Sequence, residues 1–215
     1  MPHEHRALPS NSTSHARRSL ALCATVTAIR INYAMPTKTL STDAFDILLG
    51  HDRWATAQII DRCRPLTEAQ FHQQFPIGPG SLHDTIAHII GAMHRWADRI
   101  GERPLRPRLD GRTSHTDPAP AKRFTAAEFS AQLQDIAPDF AHLVAQLRDH
   151  GTLNTTRTWT IADYPPETFT VAAAVIHVTN HGMHHRAQCM NMLRHLGRPV
   201  NADLDELEWQ IAEEP

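Results

Sequence analysis

Apolar residues recur at three- and four-residue intervals along most of the chain, the period of helices that bury one face. Ala44, Leu48, His51, Ala55 and Ile59 share one side of a predicted helix running from about Asp43 to Cys63, with Ser41 or Thr42 as its N-cap and Pro65 just beyond it. Thr67 to Phe71 reads as a short extra turn. The Pro76 to Gly80 stretch is a loop that delivers Ser81 as the cap of a second helix. That helix, Leu82 to Ile100, lines up Leu82, Ile86, Ile89, Met93 and Ile100 and stops at Gly101. Thr125 and Glu128 form a capping box for a third helix with the stripe Phe129, Leu133, Ile136, Phe140, Leu143 and Leu147, a kink expected at Pro138, and Gly151 at its end. A fourth helix runs from about Val171 to Leu196, capped by Thr170 and stopped by Gly197 and Pro199.

Between these elements lie two long connections. Glu102 to Lys122 is proline-rich and reads as a surface loop of the kind that often lies over a functional opening. Leu153 to Pro166 is threonine-rich and reads as an extended excursion, and no convincing pair of alternating strands is visible. Four amphipathic helices without strands predict an all-α helix bundle over residues 41–212. Residues 1–40 have no periodic apolar face and read as a disordered extension, or as the product of a start assigned upstream of Met35. Arg17 and Arg18 ahead of Leu20–Leu22 resemble an export signal, but Thr25 and Thr27 interrupt the run and Arg30 closes it.

Composition narrows the function. The 21 Lys and Arg are balanced by 23 Asp and Glu, a net charge of −2, which leaves no basic excess for nucleic acid. No apolar run approaches the length of a membrane span. Cys23, Cys63 and Cys189 are sparse, odd in number and far apart, which predicts reduced thiols in a cytoplasmic protein. The four tryptophans read as packing anchors. The anomaly is histidine, with 16 residues, five of them on the fourth helix: His177, His181, His184, His185 and His195.

Residues four apart on a helix differ by about 40° in direction and about 6 Å in height, so His181 and His185 point toward one place, with His177 a turn further back on the same face. Val178 and Met192 flank the His181 direction and turn it at least partly inward. Surface or hydrogen-bonded core histidines would also account for one such pair. Cys189 points about 80° from His181, too far for a sulfur ligand. His51 sits in the first helix's apolar stripe, where a core or supporting role fits better than a ligand role.

The run His177-Val-Thr-Asn-His-Gly-Met-His-His-Arg-Ala-Gln188 resembles the DinB/YfiT-like superfamily, four-helix bundles with a three-histidine metal site. His51-Asp-Arg-Trp-Ala55, Ser81-Leu-His-Asp-Thr-Ile-Ala-His88 with Trp96, and the tail Leu193 to Trp209 resemble the family's other segments, so the likeness covers about Asp43 to Trp209. It implies His88, His181 and His185 as metal ligands and His184 as a neighbour that points elsewhere. Three histidines leave at least one coordination position open, as in catalytic sites, and neutral imidazole suits Zn, Ni, Fe or Cu. The family includes thiol S-transferases that use low-molecular-weight thiols, a thiol-dependent isomerase and metal-dependent hydrolases, and its members often pair as homodimers. The resemblance thus implies a metal-dependent transferase or hydrolase acting on a small molecule. The alternative is a non-catalytic stress or dimerisation module whose metal only staples two helices.

Overall fold

The structure is a computed structural model that describes residues 41–109, 122–160 and 165–212. The N-terminal stretch expected to be disordered, Cys23, and the middle of the long loop lie outside the described residues. No described helix is long and apolar enough to cross a membrane.

The four long helices are α1 (Ala44–Cys63), α3 (Leu82–Ile100), α4 (Ala126–Asp149) and α5 (Val171–His195). Short α2 (Glu68–Phe71) follows α1, and α6 (Glu206–Ile211) follows α5. α3 packs against α4 and α5, and α1 packs against the same two, so the bundle is a ring in the order α1, α4, α3, α5. The expected stripes meet in its centre. Ile59, Leu82, Ile86, Ile100, Phe129, Ile136, Phe140, Met192 and Leu193 are fully buried. Burying large aliphatic and aromatic side chains in this way contributes roughly 1.5–3 kcal/mol each before the entropy of ordering is counted.

Side-chain caps set the helix starts. Ser81 accepts from the Asp84 amide at 3.0 Å, Thr170 from the Ala173 amide at 3.1 Å, and Thr125 and Glu128 satisfy each other's amides as the capping box requires. At α1 the cap is Asp43 rather than Ser41 or Thr42. Its carboxylate accepts from the Phe45 and Asp46 amides and is paired with Arg148 at 3.0 Å. An ionised acceptor at the positive end of the helix outcompetes a hydroxyl further out. α4 runs through Pro138 as a single element. Pro138 is exposed, so the carbonyl left without a partner by its missing N–H lies toward solvent.

The excursion after α4 contains a hairpin that the sequence reading lacked. β1 (Thr156–Trp159) pairs antiparallel with β2 (Glu167–Thr170), Thr156 opposite Thr170 and Trp159 opposite Glu167. Four-residue strands are too short to show alternation, and their stability comes from docking. Arg157 donates to the Ile100 carbonyl at 2.6 Å and the Trp159 indole to the Arg99 carbonyl at 3.4 Å, so the hairpin docks on carbonyls at the end of α3. The first part of the long loop also returns to α3. Arg106 grips the buried Asp98 carboxylate from its side chain and its backbone amide at 2.7–3.0 Å. Leu109 then lies beside Gly91, where an added Cβ would stand 3.6 Å from it. The loop therefore comes within one turn of His88.

Candidate metal centre

His88 projects from the middle of α3 and His181 and His185 from successive turns of α5, so the α3–α5 packing decides whether they meet. They do. One nitrogen from each of the three imidazoles lies within 4.8 Å of the others, and none of the three residues is exposed. The Nε2 atoms of His88 and His181 are 2.9 Å apart, and the ring centroids are 4.4–4.7 Å apart across the three pairs.

The outer nitrogens are partly committed. His185 Nδ1 is 2.8 Å from Gln188 Oε1, and an amide oxygen only accepts, so Nδ1 carries the proton and Nε2 presents its lone pair to the cluster. The Gln188 amide nitrogen in turn donates to His184 Nε2 at 3.0 Å, which draws His184 away from the cluster. His184 itself is exposed. The His181 Nδ1 atom is buried without a hydrogen-bond partner. Burial, reinforced by the neighbouring His88, His185, His177 and His184 rings, pushes the His181 pKa down to about 3. Burial also lowers His185, opposed by its bond to Gln188. These imidazoles are therefore neutral at ordinary pH, the state in which nitrogen can ligate a metal. A converging set of three imidazole donors with an orphaned buried nitrogen fits a divalent transition ion. No fourth His, Cys, Asp or Glu joins the group among the described residues.

Other histidines have structural uses. His51 donates from Nε2 to the Leu204 carbonyl at 2.7 Å and sits 3.4 Å from Glu206, tying α1 to the tail. His83 accepts the Phe124 amide on Nε2 and donates from Nδ1 to Asp84. Cys189 is buried beyond the cluster, and burial drives its thiol well above the usual range. It does not join the three histidines. Trp96 and Trp159 pack edge-on between α3 and the hairpin.

One supporting group went unrecognised in the sequence. Asp52 and Arg186 form a fully buried ion pair, with Thr56 Oγ1 3.2 Å from the same guanidinium nitrogen. Gly182 lies against it, and a Cβ there would strike the Asp52 carboxylate. Burial raises the Asp52 pKa, and the charge and hydrogen bond of Arg186 oppose that rise. The available signal was that Arg186 directly follows His185 and Asp52 directly follows His51. Those positions turn toward the α1–α5 seam, where a charge must find a partner.

The sequence model of the DinB family matches residues 35–214, the whole of this bundle and its cluster. The chain belongs to the DinB family. No curated protein matches it significantly. Membership accounts for the helical bundle, and the three-histidine cluster falls where a family of metal-binding proteins could hold an ion.

Proposed function

We propose that this DinB protein is a metal-dependent enzyme, a thiol S-transferase or hydrolase, working on a small molecule at His88, His181 and His185. The carrying observation is that three imidazoles converge from two helices while no fourth ionisable ligand joins them among the described residues. That arrangement leaves room for an exchangeable ligand and weighs against a sealed staple. A bound zinc, nickel or iron ion would supply Lewis acidity that stabilises a thiolate or activates water near neutral pH. The chain itself supplies the rest. Gln188 fixes the His185 tautomer, and burial of His181 keeps its ring unprotonated. The proposed setting is the cytoplasm, as a homodimer; Ile176 and Met183, exposed and seven residues apart on α5, supply apolar surface for pairing.

Cobalt substitution tests this reading. Titrating glutathione and cysteine into the cobalt-loaded protein is expected to shift its visible spectrum, and the same titration of His88→Ala is expected to leave it unchanged. An unresponsive native site would remove the case for thiol chemistry.

The functional unit is proposed to begin after the N-terminal stretch. Deleting Met1 to Ala34 is expected to change neither metal content nor melting temperature, since the family match starts at residue 35. A melting temperature lower by several degrees would show that the stretch is structural.

A further inference from the structure

The α3 stripe that carries His88 continues into two arginines. Positions 95 and 99 lie seven and eleven residues on, within about 20° of the His88 direction on the same helix. Both are half-buried, and neither has an ion-pair partner among the described residues. The one acid beside them, Asp98, is already held by Arg106. Arg99 Nε is buried with no hydrogen-bond partner. A buried guanidinium nitrogen without a partner, held beside a second cation, costs energy unless an anion is present for some of the time. Burial, followed by repulsion from Arg95, lowers the Arg99 pKa, as expected for like charges held together.

Trp96, next to Arg95 on α3, links Arg99 to the histidine helix. The Arg99 guanidinium carbon lies over its ring at 5.5 Å, and His177 meets it at 5.3 Å. His177 is in turn 5.8 Å from His181. A continuous path of groups thus leads along the α3–α5 seam from His181 through His177 and the Trp96 indole to the Arg99 guanidinium. Arg95 lies one turn back on the same face of α3, and among the described residues neither guanidinium has an ion-pair partner.

We propose that this seam binds an elongated organic acid, its carboxylate held by Arg95 and Arg99, its body against Trp96, and its reactive end at the three histidines. Guanidinium forks match a carboxylate's two oxygens. A single negative charge suits the place better than a phosphate does, because it lies in the C-terminal half of α3, where the helix dipole is negative. Helical rise sets the scale: Arg95 lies about 10 Å along the axis from His88 and Arg99 about 16 Å. Arginine side chains on a helix lean back toward its N-terminus, which shortens the gap. The ligand is therefore about as long as an extended tripeptide, about 10 Å. The inference rests on the proposed chemistry at the histidines only for what happens at the ligand's far end.

The test compares 8-mercaptooctanoate with 8-mercaptooctanol on the cobalt-loaded full chain, read by visible absorption. The acid is expected to bind at least tenfold more tightly than the alcohol. Changing Arg95 and Arg99 together to Gln is expected to abolish that preference without altering alcohol binding or metal content, and Arg99→Lys to keep part of it. Octanoate, which has no thiol, is titrated separately into metal-free protein, with tryptophan fluorescence as the readout. It is expected to perturb the native protein and not the double variant. Equal binding of acid and alcohol by the native chain, or a preference that survives in the double variant, overturns the proposal even if thiols perturb the cobalt. A cobalt spectrum indifferent to both thiols, with octanoate binding intact and arginine-dependent, overturns the thiol reading and leaves the acid site standing.

Discussion

Replacing His181 and His185 together with alanine is expected to abolish metal retention. The native chain should purify with about one divalent ion, as a site built from three protein ligands implies. With both α5 donors gone, His88 alone cannot hold it. Because the ligands come from α3 and α5, the ion binds only the folded bundle and stabilises it. At a free concentration a hundredfold above its Kd it adds about 2.7 kcal/mol. Chelation should therefore lower the native melting temperature by roughly 5–10 °C and leave the double variant's unchanged. A Gln188→Ala change removes only the partner that orients His185, so an affinity loss of about 10- to 100-fold is expected, not abolition. Equal metal in native protein and double variant would overturn the assignment of these histidines.

The other large effect belongs to the buried ion pair. Arg186→Met leaves the Asp52 carboxylate alone among packed helices, with its side chain only 2% exposed. Breaking one half of such a pair costs about 3–5 kcal/mol, which corresponds to a melting temperature lower by roughly 10 °C in a domain of this size. Removing both charges should be far milder. The double change Asp52→Leu with Arg186→Met is expected to recover most of the loss, since two apolar side chains need no counter-charge. Thermal unfolding of the native chain, Arg186→Met, Asp52→Leu and the double variant gives the coupling directly. If the double variant is as unstable as the single one, packing around these side chains outweighs their charge.

Much of the bundle could be read from the sequence because its helices announce themselves locally. The α3 and α4 stripes follow apolar spacing alone, and Ser81, Thr125 and Thr170 are caps by residue type. The hairpin was not legible, because Thr156–Trp159 and Glu167–Thr170 owe their conformation to the end of α3 rather than to any pattern of their own. α1 shows the same limit. Ala44, which fits its stripe, is exposed, while Asp52 and Thr56, which do not, are buried. Polar residues enter that seam because Arg186 arrives from 134 residues away. The histidine cluster lies between these cases. The spacing of His181 and His185 fixes their shared direction, but His88 reaches them only through the packing of α3 on α5, which a family resemblance could supply and periodicity could not.

Gly182 gives up the helix propensity of a residue with a Cβ, a loss of about 1 kcal/mol in the middle of α5. In return Asp52 and Arg186 lock together in the space beside it. That lock works as an angular key. Arg186 points about 100° around the helix from His185, so engaging Asp52 on α1 fixes the rotational phase at which α5 presents its histidines to α3. A slip of one residue would turn His181 and His185 by that same angle, out of reach of His88. The glycine thus sets the aim of a cluster to which it supplies no ligand.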